Sequence, residues 1–153
     1  VGAHSADHLI FVDDNHARML AEKNVVATLL PSAAFFLKLG RFAPARMLIE
    51  QGAAVALATD LNPGGGFTTS MPFVMSLACF GMNMTLEEAQ VGATINATAS
   101  IDRQNTIGSL AAGKQHHGIL VSGMLTDLTR DCGPVIKQVT KRVRVAHSIR
   151  IES

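Results

Sequence analysis

The sequence predicts a parallel α/β architecture that ends in a small β-sheet. Three observations carry that expectation. Residues 25–30 (VVATLL) and 53–58 (AAVALA) are continuous apolar runs, the pattern of strands buried on both faces. Segments of helical character separate and follow them. From Gly108 onward the text changes to turn-rich sequence and then to apolar residues alternating with basic or polar ones at period 2. The resulting order is βαβαβαα followed by a β tail.

Each element has a local reason. Residues 1–11 hold a short strand and a loop, after which Asp13 and Asp14 can cap a helix carrying Ala17, Met19, Leu20 and Ala21. The strand at 25–30 stops at Pro31. Residues 43–51 (APARMLIEQ) read as a helix closed by Gly52, and the strand at 53–58 ends at Thr59 and Asp60. The loop LNPGGGFTTS follows, and Thr68 or Thr69 caps an apolar helix through Met71, Phe73, Val74, Leu77 and Ala78. Thr85 and Glu88 have capping-box spacing and open a helix that runs to about Ile101. GSLAAGK reads as a turn-rich ribbon, residues 118–122 as a short strand, and residues 135–151 as the alternating tail.

Composition bounds the function. The chain has 153 residues, which suggests one domain and excludes a complete eight-stranded (β/α) barrel, for which about 200 residues is a minimum. Thirteen Lys+Arg against 12 Asp+Glu leave a formal charge of +1, so nothing global argues for nucleic acid or an anionic membrane as partner. With 48% hydrophobic and 16% charged residues a core can form. The apolar stretch at 25–37 is broken by Thr28, Pro31 and Ser32 and falls short of the roughly 18 to 20 residues that span a bilayer. No basic segment precedes an apolar one at the start, so a soluble, cytoplasmic protein is expected. The chain opens on Val1 rather than Met, as processing, cloning or excision from a longer protein would leave it. Cys79 and Cys132 lie far apart without a CxxC, which reads as buried thiols in a reducing compartment.

In parallel α/β folds functional groups collect where strands end, because the loops there face a shared crevice. Two such ends carry chemistry. In AHSADHL, His8 can project from a strand terminus into a pocket or serve as a hydrogen-bonded structural residue; His4 and His8 have i, i+4 spacing but no predicted helix to use it. In ALATDLNPGGG, Asp60 follows a doubly buried strand, where a carboxylate is costly unless a cation, a proton or several donors satisfy it. Capping its own turn is the competing role. Gly64, Gly65 and Gly66 allow backbone N–H groups to approach an anion, or simply make a tight turn; no lysine follows as in a Walker loop.

Other residues read as scaffold. Met71, Met75, Met82 and Met84 are core filler at near-helical spacing, and His116 and His117 point to opposite faces of a strand. Lys137, Lys141, Arg142, Arg144 and Arg150 read as a solvated edge strand rather than a phosphate-binding stripe.

The segments SADHL, VVATLLP, ALATDLNPG, TTSMPFVMSLAC, MTLEEA, GATINA and GSLAAGKQ occur in this order. Together they resemble the imidazolonepropionases of histidine degradation, within the amidohydrolase superfamily. The likeness runs to about Gln115 and then thins, where His116-His117-Gly118 departs from the family's text. It is to the C-terminal part of the family's chain only.

The resemblance implies that residues 1–107 are the last strands and helices of a (β/α)8 metal-dependent hydrolase barrel and that 108–153 are a β tail of the small β-sandwich domain. It implies one zinc or iron ion and hydrolysis of the ring C–N bond of 4-imidazolone-5-propanoate to N-formimidoyl-L-glutamate, by a homodimer in its complete form. Asp60 corresponds to the aspartate that ligates the metal and acts as base toward the attacking water, and His8 to the histidine placed at the reacting carbonyl. Asn62, Gly64 and Gly65 match the loop that holds substrate. The family's paired histidines, its further histidine ligand and a neighbouring glutamate have no counterpart here, so the chain alone is expected to be inactive and to need the N-terminal part of the barrel. Half a barrel would also leave a strand edge and an apolar face open. Two alternatives stand beside this: a free-standing α/β module that holds an anionic ligand at Gly64–Gly66 without catalysis, and a non-functional truncation.

Overall fold

A computed structural model describes residues 2–130 and 136–144. Strands β1 (Ser5–Asp7), β2 (Val26–Leu29) and β3 (Val55–Leu57) form a three-stranded parallel sheet in the order β1-β2-β3. The register sets Asp7 beside Thr28 and Thr28 beside Ala56, so these share one face, while Ala27, Leu29, Val55 and Leu57 share the other. That second face is the core. It packs on Ala17 of α1 (Asp14–Glu22), Leu48 of α3 (Ala45–Glu50), Val74 and Ala78 of α4 (Met71–Met82) and Ala89 of α5 (Leu86–Ala93). All four residues of β2 are buried, as the apolar run at 25–30 predicts. The hydroxyl of Thr28 is buried on the opposite face with no partner among the described residues.

Several local signals act as expected. Asp13 caps α1 by accepting the His16 N–H at 2.9 Å. Gly52, at φ +85, closes α3 in the left-handed conformation. The Thr85 capping box is complete, with Glu88 N–H donating to Thr85 Oγ1 at 3.2 Å and Thr85 N–H to Glu88 Oε2 at 2.7 Å. Arg46 of α3 pairs with Glu88 and donates to the Asn83 carbonyl at the C-terminal cap of α4, tying three helices together.

Other boundaries differ from the sequence reading. The short strand expected within residues 1–11 is Ser5–Asp7, but other elements shift. Pro31 ends β2 but also opens an unexpected helix, α2 (Pro31–Phe36), because its fixed φ and missing N–H suit the first helical position. Ser70 rather than Thr68 or Thr69 caps α4, accepting the Phe73 N–H at 3.3 Å. The helix from Thr85 breaks at Thr94 (φ −123°, ψ −85°), giving α5 and α6 (Ile95–Ser100). Beyond the break Asn96 donates to the Val55 carbonyl at 2.8 Å, which fastens α6 to the start of β3.

The tail forms a separate antiparallel ribbon of β4 (Gln115–Val121) and β5 (Ile136–Arg144), with β4 beginning at Gln115 rather than Gly118. An unexpected helix, α7 (Leu125–Arg130), connects to α4 through Ser76, which donates to the Thr129 carbonyl at 2.8 Å. His116 and His117 face opposite ways, the first against Gly118 and the second toward Gln115. Met75, Met82 and Met84 are core residues, and Met71 packs against them. Cys79 is half-buried, and burial, followed by the nearby Glu87 and Glu88, pushes its thiol pKa up. Cys132, Arg150 and the tail beyond Arg144 lie outside the described residues, and of the basic stripe only the exposed side chain of Lys141 lies within them.

The outer edges of β1 and β3 carry no partner strand among the described residues. Beside β1 lies a groove of about 1020 Å³ lined mainly by apolar side chains, including Leu9, Ile10, Val12, Met19 and Leu20. No helix among the described residues is long and apolar enough to cross a membrane.

Candidate metal centre and substrate loop

Parallel strands point their C-terminal ends the same way, so His8 after β1 and Asp60 after β3 emerge on one side of the sheet with β2 between them. His8 Nε2 stands 3.9 Å from Asp60 Oδ2, with the histidine side chain 51% and the aspartate 23% exposed. The carboxylate is thus less desolvated than the buried strand before it suggests. His8 is fixed from the backbone, its N–H donating to the Thr28 carbonyl at 3.0 Å. Both residues lie beyond their strands with positive φ, +67° for His8 and +52° for Asp60, a left-handed conformation that His and Asp adopt more readily than most L-residues but that still costs free energy.

The loop after Asp60 is organised around Asn62. Its Nδ2 donates to the Asp60 carbonyl at 2.9 Å and to Asp60 Oδ1 at 3.0 Å, while its Oδ1 accepts the Gly64 N–H at 2.9 Å. Asp60 Oδ1 is therefore engaged, and Oδ2 faces His8. Among the described residues Asp60 accepts no backbone N–H, so it does not cap its own turn; Asn62 does that work. A Cβ on Gly65 would lie 2.7 Å from Asp60 Oδ2 and 2.8 Å from Asn62 Nδ2, so glycine there keeps the carboxylate oxygen open. Gly66 is more constrained, because a Cβ would meet the Asp60 and Thr59 carbonyl oxygens at 2.3 and 2.5 Å. Gly64 has spent its N–H on Asn62, whereas Gly65 makes only a long 3.4 Å contact to the Asn62 carbonyl.

Sequence reasoning passed over two residues that hold this loop. Ser32, fully buried in the first turn of α2, donates its hydroxyl to the Thr59 carbonyl. Phe67 follows Gly66 and packs among Phe35, Phe36 and Phe73. A polar residue just after a strand-ending proline was a signal for the first; nothing local marked the second.

Residues 4–146 match the amidohydrolase family. A protein of Clostridium tetani named imidazolonepropionase is 52% identical over 115 residues, covering 75% of this chain and 27% of its own length. One of Geobacillus thermodenitrificans with the same name is 54% identical over the same span and shares. Among solved structures, an adenosine deaminase from Xanthomonas campestris with bound zinc superposes with TM-score 0.81 at 19% identity, covering 92% of this chain and 36% of that one. E. coli guanine deaminase gives 0.73 at 18% identity, covering 95% and 39%.

The parallel sheet with its flanking helices is thus part of the amidohydrolase fold, and the chain belongs to the amidohydrolase family. Within that family its resemblance is to the imidazolonepropionases, of whose length it spans about a quarter.

Proposed function

We propose that the chain is the C-terminal part of an imidazolonepropionase, a metal-dependent cyclic-amide hydrolase of histidine degradation. In this reading residues 1–107 complete a (β/α)8 barrel and residues 108–153 join the small β-sandwich domain. The unpaired edge of β1 and its apolar groove are where the N-terminal part of the barrel packs. The complete enzyme is a cytoplasmic homodimer acting on 4-imidazolone-5-propanoate. The observation that carries the reading is the meeting of His8 with the open Oδ2 of Asp60 above Gly65.

The donor set fits one share of a metal site. A hard carboxylate oxygen kept clear by a glycine suits zinc or iron, yet no group of three or more His, Cys, Asp or Glu occurs among the described residues. Asp60 is the ligand from this chain, the others come from the N-terminal part, and the chain alone is inactive. When bound, the ion supplies a Lewis acid that makes water nucleophilic near neutral pH.

The residues of this chain then divide the work. Asp60 accepts the proton of the attacking water, while Asn62 holds Oδ1 so that the carboxylate cannot rotate away. His8 Nε2 lies where it can donate to the carbonyl oxygen as charge builds on it. Water adds at the ring carbonyl carbon, the C–N bond breaks, and the proton moves to the departing nitrogen. Gly65, with its N–H only weakly engaged, lets the substrate's propionate come close to the backbone, beside Gly64 and Asn62.

The gene upstream of the codon for Val1 tests this directly. An in-frame HxH followed by a further histidine and a glutamate is expected. A start codon near Val1, with none of these ahead of it, sinks the hydrolase reading and favours a binding module that holds phosphate or carboxylate without metal.

A further inference from the structure

Two contacts reach the segment 59–67 from one short helix, and neither is part of the chemistry above. At its upstream end the buried Ser32 hydroxyl of α2 donates to the Thr59 carbonyl, one residue before Asp60. At its downstream end the Phe67 ring lies 6.3 Å from Phe35 and 5.7 Å from Phe36, both on α2, and 5.8 Å from Phe73 on α4. Phe35 meets Phe73 edge-on at 5.9 Å, so the rings form one connected cluster.

A loop between two anchored ends loses most of its freedom before any ligand arrives, and ligand binding then costs less ordering entropy. The need for anchoring is visible in Asp60, which sits at φ +52° and whose carbonyl lies against Gly66. Asn62 organises the middle of the loop but is itself part of it, so it cannot fix the loop to the sheet. The α2 contacts can, because α2 follows β2 directly and begins in a fully buried turn.

We propose that α2 is a two-point clamp on the loop that carries Asp60. Ser32 is a positioning residue for the Asp60 carboxylate, acting through the Thr59 carbonyl. Phe67 is a positioning residue for Asn62, Gly64 and Gly65, acting through the aromatic cluster. The inference rests on the reading of Asp60 as metal ligand and of the glycine loop as substrate contact.

The two anchors hold different ends, so their losses separate. In the complete zinc-loaded polypeptide, Ser32→Ala lowers zinc affinity about tenfold, measured by competition with a chromogenic chelator, and lowers kcat with little change in KM. Phe67→Ala raises KM about tenfold and leaves zinc affinity unchanged, and Phe67→Tyr restores KM because the half-exposed ring has room for a hydroxyl. Ser32→Cys, which keeps the volume with a weaker donor, falls between wild type and Ser32→Ala and guards against simple loss of fold. Variants that lower Tm but move neither zinc affinity nor KM, or that both move the same parameter, overturn the clamp alone. A wild-type protein that retains neither zinc nor iron overturns the reading of Asp60 and this inference with it.

Discussion

Nε2 of His8 lies 3.9 Å from Oδ2 of Asp60, although β2 separates the strands that carry them. The approach depends on backbone geometry as much as on side-chain reach. Each residue turns out of its strand with positive φ, and each is held there by a neighbour, His8 through the Thr28 carbonyl and Asp60 through Asn62. A cation bound at Oδ2 and a carbonyl group within reach of Nε2 would therefore be adjacent by construction of the sheet.

The roles proposed for the two residues differ, so their removal is expected to differ. In the complete enzyme Asp60→Asn abolishes tight metal binding, and since loss of a ligand's mere supporting partner costs about 10- to 100-fold, kcat falls by at least about 100-fold. His8→Ala keeps the metal and lowers kcat by about 100- to 10,000-fold, the range of a positioned proton donor. Metal content and kcat of the two purified variants check this; equal metal loss in both would contradict it.

Gly65→Ala places a methyl group 2.7 Å from Asp60 Oδ2, so either the carboxylate or the loop must move. The expected result is weaker metal retention and a raised KM, with a stability loss of about 1–3 kcal/mol from overpacking. Titration of the metal together with thermal unfolding measures both. Unchanged metal affinity would mean that Oδ2 does not face the site.

Thr28→Val removes a buried hydroxyl that has no partner among the described residues. Stability should be unchanged or slightly higher, because an unmade hydrogen bond is what the wild type already carries. A loss of more than about 1 kcal/mol in denaturant titration would reveal a partner supplied by the rest of the barrel.

Glu88 gives a pH signature. The Arg46 guanidinium first, and then the Thr85 N–H, hold its carboxyl below the usual glutamate range, partly opposed by burial. A carboxylate depressed on folding contributes stability above its unfolded pKa and loses it as pH falls through the folded value. The Tm difference between wild type and Glu88→Gln is thus largest near neutrality and closes in acid, as pH falls below the ordinary glutamate pKa and on through the lower folded-state value. A difference that persists unchanged in acid would put the effect of Glu88 in packing instead.

The sequence made some of this legible and not the rest, for physical reasons. The strands at 25–30 and 53–58 were readable because burial on both faces demands continuous apolar residues, and the Thr85 box because both its hydrogen bonds are local. Asp60 stood out because charge after a buried strand is costly. Helix α2 did not, since Pro31 reads equally well as the end of a strand and the start of a helix. The break at Thr94 depends on Asn96 finding the Val55 carbonyl, and the Ser32 and Phe67 anchors depend on contacts across 27 residues and across ring clusters that no local pattern encodes.

If Asp60 of this chain completes the metal site of an imidazolone hydrolase, the complete polypeptide turns over that substrate only when metal is bound. Incubating the complete polypeptide with 4-imidazolone-5-propanoate, with bound metal and after chelation, and detecting N-formimidoyl-L-glutamate by mass spectrometry tests it most directly. Product is expected from the loaded protein, none after chelation, recovery when zinc or iron is restored, and no comparable recovery in Asp60→Asn. Intact substrate with the loaded wild type, or equal turnover by Asp60→Asn, would contradict it.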